Sequence, residues 1–350
     1  MSAKLVFCAF GAGLLAIRES SRKRVTIKDI ARAAGVDPST VTRALQGSER
    51  VRSSTRERVK TIAEEMGYVP NMAARTLVKR SSGLIGLVIP DMTNPFFAAL
   101  ARGMENEAAK HDLRIVINDT LGEEAAEREA IRLFLELEVD GLLVPMARCP
   151  QDYYEELQTP VPVVHINRPE ARHHVSCDRS LGSLAIMQHL IDLGHRRIGF
   201  VRGPSQPGIE PKMQAYRQML DQHGIDYEPD WIFRFDGTAE SSAHTADRLL
   251  ALSPMPTAVF AWNDVSAIGL IHALRERGQR VPDDISVAGH DNIQLSGLVT
   301  PPLTTVAWPM YEIGQQSVRS LLSIARGNTP REAAIPAPKL IVRASTGSPG

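Results

Sequence analysis

Two groups of side chains in this 350-residue sequence have the types and spacing to do chemistry. Near the amino end, Ser39, Thr42 and Arg43 follow Asp37-Pro38. Residues spaced i, i+3 and i+4 share one face of a helix, and hydroxyls with a planar guanidinium on such a face can bond the edges of stacked bases. The second group is spread along the remainder: Asp91 with Asn94, Phe96 and Phe97; Asn167 with Arg168; Trp262 with Asn263; and Asp291. Each falls at the end of a short apolar run, where open α/β sheets bind their ligands.

Catalysis has no comparable support. His165, His173, His174, His189, His195, His223 and His244 stand without metal-ligand spacing. There is no G-x-S-x-G elbow, Walker loop or H-E-x-x-H pair. His195, in Gly194-His-Arg-Arg, reads as a helix C-terminal cap and polar anchor rather than a base. No catalytic residue, cofactor or metal site is expected.

The elements that must position these groups differ between the two parts. With 43% hydrophobic and 23% charged residues, the chain is a folding, globular one rather than a disordered one. Its formal net charge is zero, yet residues 22–82 hold 14 Lys/Arg against 6 Asp/Glu, a local +8 that leaves the remainder acidic. Such asymmetry points to a polyanion-binding module. Cys8, Cys149 and Cys177 form no C-x-x-C pair, which fits a reducing cytoplasm. No apolar run reaches the length of a membrane span.

Residues 5–17 imitate two other things. The apolar run resembles the core of a secretory leader, and Gly11-Ala-Gly13-Leu-Leu-Ala16, with Asp29 beyond it, matches the dinucleotide fingerprint of a dehydrogenase. Basic Arg22-Lys23-Arg24 and a helical segment follow where export or a second strand is required, so residues 1–23 are expected to be an unstructured or mis-started extension.

In the basic segment, Thr26-Ile-Lys-Asp29 opens a helix with a capping-box pattern, and Gly35 ends it. Asp37 caps a second helix with Pro38 at its first position, running to Leu45, and Ser53 or Ser54 is expected to cap a third. From Leu84 onwards, apolar runs at 84–90, 114–118, 141–145, 161–166, 197–201, 258–261 and 285–289 alternate with amphipathic helices at 95–111, 123–138, 181–193, 211–223, 239–252, 265–277 and 310–325. This alternation implies a doubly wound α/β body whose parallel strands are covered on both faces.

The motifs 25–36 (VTIKDIARAAGV), 39–45 (STVTRAL), 56–59 (RERV), 66–71 (MGYVPN), 73–77 (AARTL), 85–91 (IGLVIPD), 94–97 (NPFF), 194–199 (GHRRIG), 263–264 (ND) and 301–305 (PPLTT) resemble, in order and spacing, the lactose-repressor/galactose-repressor (LacI/GalR) family. The resemblance covers essentially everything after Arg24. It implies an all-α helix-turn-helix head at 24–70, a hinge helix and linker at 71–82, and at 83–350 a two-lobed, periplasmic-binding-protein-like α/β body. The lobes are expected at about 83–178 with 309–326 and about 179–306 with 328–345. The implied DNA-binding residues are Thr26, Ile27, Pro38, Ser39, Thr40, Thr42 and Arg43 in the head, and Asn71, Ala73, Ala74 and Leu77 in the hinge. Arg43 is expected to read guanine, Pro38 to give only apolar contact, and Leu77 to wedge open a base step.

Around a small-molecule effector the resemblance places Asn94, Phe96, Asn167, Lys212, Asn263, Asp291 and Trp308, and the strand ends add Phe97 and Trp262. Lys212, Asn167 and Trp308 depart from the common pattern, and losing a carboxylate while keeping a cation favours a sugar acid over a neutral sugar, with room for an aromatic acid. The expected function is transcriptional regulation, as a repressor, by a cytoplasmic homodimer on a pseudo-palindromic double-stranded DNA operator, with no membrane partner. The tail 343–350 lacks a leucine-rich repeat, which favours a dimer over a tetramer. The rival reading is a sugar-binding protein that does not bind DNA.

Overall fold

Three helices pack around eight buried side chains at the amino end. The computed structural model describes residues 25–69, 81–157, 159, 161–203, 211–236, 238–330 and 335–350. The leader with Gly11 and Gly13, and the hinge positions Asn71, Ala73, Ala74 and Leu77, lie outside the described residues. The chain divides into two units, 1–80 and 81–350.

In the first unit, α1 (Ile27–Ala34) begins with a closed capping box: the Thr26 hydroxyl accepts from Asp29 N, and Asp29 Oδ2 accepts from Thr26 N at 2.9 Å. Gly35, at φ 62°, ends it in the left-handed conformation that glycine adopts without steric cost. Asp37 Oδ1 accepts from Ser39 N at 2.8 Å and starts α2 (Pro38–Leu45), with Pro38 at the first position. The third helix, α3 (Ser53–Glu65), corrects the sequence reading. Arg52, not a serine, occupies its cap position, no side chain caps it, and Ser53 and Ser54 are exposed. Its Arg56 donates instead to Gly47 O and Ser48 O, at 3.3 and 3.2 Å, and so satisfies carbonyls in the turn after α2. Ile30, Ala31, Ala34, Val41, Ala44, Val51, Val59 and Ala63 form the core.

The second unit opens with β1 (Leu84–Ile89), α4 (Pro95–Ala109), β2 (Arg114–Asp119), α5 (Glu124–Glu136), β3 (Gly141–Pro145), α6 (Gln151–Glu156), β4 (Val163–Ile166) and β5 (His174–Val175). A parallel sheet in the order β2-β1-β3-β4-β5 results. The second lobe follows with α7 (Arg179–Asp192), β6 (Ile198–Arg202), α8 (Pro211–Gln222), β7 (Ile232–Arg234), α9 (Ala239–Leu250), β8 (Ala258–Ala261), α10 (Asp264–Glu276) and β9 (Ser286–Ala288), its parallel sheet ordered β7-β6-β8-β9. Next come β10 (Thr305–Ala307), α11 (Met310–Ala325) and β11 (Lys339–Ile341), with β10 and β11 paired antiparallel. Helix α11 packs on α4 and the first sheet, so the chain passes between lobes after β5, after β10 and again on its way to β11.

The central strands β1 and β3 are buried along nearly their whole length, as continuous apolar runs require. Strand β2 is not: it lies at the sheet edge, Arg114 and Ile117 are exposed, and the expectation of cover on both faces fails there. Strands β5, β7, β10 and β11, of two or three residues, carry too little pattern to be read from sequence.

Close approach of α4 and α11 holds the first lobe together. A Cβ at Gly314 would lie 2.3 Å from Leu100 O, and one at Gly103 would lie 2.1 Å from Tyr311 O, so each helix needs glycine where it crosses the other. Alongside, the buried Glu107 carboxylate accepts from Arg319 Nε and Nη2, both at 2.9 Å, and from Lys110 Nζ at 2.7 Å. The Arg319 hydrogen bonds, with those from Lys110, hold the Glu107 carboxyl down at about 2, against an ordinary value of 4.5. A depressed folded-state pKa contributes stability above pH 4.5 that is lost as pH falls towards 2. Glu107→Gln should therefore flatten the loss of stability over that acidic range, measured as urea midpoints against pH; a slope equal to the wild type would contradict this role.

Candidate functional site

The base-reading candidates divide by exposure. Pro38, Ser39 and Arg43 are exposed on α2, while Thr40 and Thr42 are half-buried. The Thr42 hydroxyl donates to Pro38 O at 3.1 Å within the helix. Thr26 is exposed but its hydroxyl is engaged with Asp29 Oδ2 at 2.7 Å, and Ile27 packs against the head core. Hydrogen bonds from Ser39, helped by the charge of Arg43, lower the Asp37 pKa, so the cap that positions this face stays ionised. The surface that α2 offers is thus one guanidinium, one hydroxyl and an apolar ring.

The second candidate site is a cleft of about 330 Å³ between the two lobes. All nine sequence-derived positions line it: Asn94, Phe96, Phe97 and Asn167 from the first lobe, Lys212, Trp262, Asn263 and Asp291 from the second, and Trp308 on the crossover after β10. They gather because parallel strands in both sheets point their carboxyl ends at this cleft. Asn94 and Asn263 do double duty. Asn94 Oδ1 caps α4 by accepting from Phe96 N at 3.0 Å, and Asn263 Oδ1 caps α10 by accepting from Ser266 N at 2.9 Å, which leaves their amide NH₂ groups as donors. Phe97 is chiefly a core residue, set edge-on to Phe96 at 5.2 Å between centroids.

Backbone strain collects around the cleft. Leu121, Met146, Asn167 and Asp291, each just beyond a strand, have φ of 53°, 53°, 59° and 127°, a region that costs non-glycine residues energy and marks binding sites. Asn167 is also buried, and among the described residues its Oδ1 has no hydrogen-bond partner. A buried acceptor left unsatisfied costs about 1 to 3 kcal/mol until a partner arrives.

Lys212 differs from the expectation that it offers a spare cation. Its Nζ donates to Trp262 O at 2.6 Å, stands 4.0 Å from Asp291 Oδ1 and lies 4.5 Å from the Trp262 ring centroid. Its charge is partnered inside the wall. The cation the sequence reading missed is Arg148, beside Gly122, and the carboxylates of Asp91 and Asp236 join Asp291 around the cleft. Leu121, Gly122, Met146 and Arg148 follow β2 and β3, so inspecting the residues after those strands would have found them, whereas Phe235 and Asp236 follow β7, which is too short to be read from sequence.

Arg148 is carried on a loop clamped from below. The buried Glu127 carboxylate accepts from Arg148 N at 2.7 Å, Cys149 N at 2.9 Å and Tyr154 Oη at 2.5 Å, and Arg168 Nη1 donates to Cys149 O at 2.8 Å. Burial and the neighbouring Glu127 push the Cys149 thiol up to about 12, which makes it inert. Burial likewise drives His165 down to about 3, a packed neutral ring and not a base. The ring of His195 is held by Thr257 Oγ1 and Gly347 O, at 2.9 and 2.8 Å, as a polar anchor. Among the described residues no group of His, Cys, Asp and Glu could hold a metal ion, and no helix is long and apolar enough to cross a membrane.

Comparison with known proteins agrees with both halves. Residues 26–71 match the model of bacterial regulatory proteins of the lacI family, and residues 187–346 match a periplasmic binding protein-like domain. The HTH-type transcriptional repressor CytR of Escherichia coli (strain K12) is 36% identical over 307 residues, 86% of this chain and 90% of that protein. Catabolite control protein A of Priestia megaterium is 35% identical over 303 residues, 85% of this chain and 91% of that protein. The crystal structure of the Lac repressor dimer bound to operator and the anti-inducer ONPF superposes with a TM-score of 0.82 at 26% identity, covering 93% of this chain and all of that one. Identity at this level over both units removes the reading as a sugar-binding protein without DNA binding and the reading as an enzyme. The chain is a DNA-binding transcriptional regulator with an effector-binding body, and it belongs to the lacI family of bacterial regulatory proteins.

Proposed function

We propose that this regulator is a repressor acting in the cytoplasm as a homodimer. Its two heads read the half-sites of a pseudo-palindromic operator, and a small sugar-like or sugar-acid effector in the interlobe cleft sets its operator affinity. The observation that supports the first part is the pairing of exposed Ser39 and Arg43 on a capped helix with an amino-terminal segment, residues 22–82, of net charge +8. A helix of that kind fits the major groove, where Arg43 can pair two-handed with guanine O6 and N7. The hinge positions Asn71, Ala73, Ala74 and Leu77 take the minor-groove role in this proposal, with Leu77 as the wedge.

The buried Asn167 Oδ1, without a partner among the described residues, and a cleft also lined by Asn94, Asn263, Asp291, Phe96, Trp262 and Trp308 support the second part. Carboxylates and amides bond hydroxyls, and aromatic faces cover the apolar face of a sugar ring. A sugar acid would place its carboxylate near Arg148, the other cation that lines the cleft. A coupling of about 1 to 3 kcal/mol between cleft and operator would change affinity some 5- to 150-fold.

Three measurements test the proposal. Full-length protein should bind genomic duplex fragments with an affinity that falls steeply as salt rises, and deletion of residues 1–82 should abolish it; no retention at low ionic strength would refute DNA regulation. Arg43→Ala should cost about 1 to 3 kcal/mol at one base pair and relax discrimination there, whereas equal weakening across all operator variants would make Arg43 a phosphate contact. Thermal-shift screening with sugars, sugar acids and aromatic acids should raise the melting temperature of the body for one class, and Asn167→Leu should remove that rise; a rise that survives Asn167→Leu would place the effector elsewhere.

A further inference from the structure

We propose that His290 is a positioning residue for the effector: it holds the Trp308 indole as an apolar wall of the cleft, so that this wall takes a ring face and offers no hydrogen bond. The inference rests on reading the cleft as the effector site.

Trp308 lies on the crossover after β10, half-buried, and packs against the hydrophobic cores of both lobes while lining the cleft. An indole has one polar group, the Nε1–H, which can only donate. Here it donates to His290 Nδ1 at 2.9 Å, with the two rings 5.3 Å apart at 45°. With that donor engaged, the part of Trp308 left for a ligand is its π surface. Such a surface favours the apolar face of a sugar ring or a planar ring over a ligand atom that needs a hydrogen bond.

His290 is built for this task. It is fully buried, in a slot that a Cβ at Gly182 would close, since that atom would lie 3.1 Å from His290 Nε2 and 2.8 Å from Val306 Cγ1. Its carbonyl accepts from Asp264 N at 2.9 Å, which ties its backbone to the start of α10 in the second lobe. The next residue, Asp291, holds its strained backbone with its carboxylate 3.3 Å from His290 Nδ1 and 4.0 Å from Lys212 Nζ. Nδ1 must be unprotonated to accept from the indole, so it cannot also donate to Asp291. The hydrogen bond therefore makes the indole travel with the second lobe.

Full-length protein carrying ¹⁵N-indole tryptophan has three indole signals, from Trp231, Trp262 and Trp308, and Trp308→Phe identifies the third. In the wild type the Trp308 N–H should exchange slowly with solvent. His290→Phe should make it exchange fast, and His290→Asn, whose Oδ1 can stand in for Nδ1, should restore slow exchange. His290→Leu supplies the same contrast if the phenylalanine variant does not fold. Exchange equal in the wild type and the phenylalanine or leucine variant would overturn the proposal, as would failure of asparagine to rescue it.

D-glucose, D-galactose, D-gluconate and D-galacturonate, titrated by tryptophan fluorescence, provide the second readout. Any that binds the wild type should bind His290→Phe about three- to tenfold more weakly, the loss expected when a released side chain must be ordered again on binding, and His290→Asn with wild-type affinity. In a Trp308→Phe background, His290→Phe should cost no further affinity, because the bond is already absent. Unchanged binding by His290→Phe would also overturn the proposal. If none of the four binds the wild type, that counts against the sugar reading of the cleft, and the exchange comparison still decides the role of His290.

Discussion

The buried carboxylate of Asp264 is the contact on which the second lobe's wall of the cleft depends. It is wholly excluded from solvent, and burial raises its pKa even though Thr305 Oγ1 and Ile293 N donate to it. A carboxylate there is tolerable because Thr305 Oγ1 and Ile293 N bond it at 2.5 and 2.9 Å and because it sits at the positive end of α10. Those bonds tie together three pieces that are distant in sequence: the start of α10 with Asn263, the turn after β9 with His290 and Asp291, and β10, which leads to Trp308. Gly289 lets the turn pass, since a Cβ there would lie 2.4 Å from Asp264 Oδ1. Pinned at Gly289 and Ile293, the backbone between can hold Asp291 and Asn292 at φ 127° and 51°, conformations that an untethered turn would relax.

The same economy appears in the first lobe, where the Glu127 carboxylate fixes the loop bearing Arg148 and the N-terminus of α4 is capped by Asn94. Asn94, Asn263 and the loop that carries Arg148 are thus each fixed by hydrogen bonds within the wall that bears them. Rigidity of this kind lowers the entropy lost when a ligand is bound, and it means that the lobes respond to the ligand as bodies and not as loose loops. Charge is divided between the units in parallel. Residues 22–82 concentrate cations while the remainder carries the compensating acids, so attraction to a polyanion is confined to the part that reads it.

Much of the cleft was legible before any coordinates. Asn94 and Asn263 each sit between an apolar run and a helix, where a capping side chain and a strand end coincide, and both motifs are local. The capping box of Thr26 and Asp29 and the Asp37-Pro38 start of α2 were legible for the same reason: their partners lie within three residues. The Ser53 cap misled because serine before a helix is only a propensity: Ser53 and Ser54 fall inside the first turn, after Arg52 in the cap position. Lys212 misled in another way. Its charge is answered by a carbonyl and a carboxylate 50 and 79 positions away, at Trp262 and Asp291, which no spacing along the chain announces.

The sequence by itself determined the two-part plan, the class of fold in each part and the strand-end positions from which ligand-binding side chains come. These follow from hydrophobic periodicity, charge segregation and caps, all of which act between near neighbours. Only the tertiary structure decided which charges are spent within the walls, that β2 is an edge, that Arg148 and Asp236 share the cleft with Asp291, and that His290 meets Trp308. Those outcomes depend on two separately folded sheets turning their carboxyl ends toward one another and on three passages of chain between them, a geometry set by packing rather than by local preference.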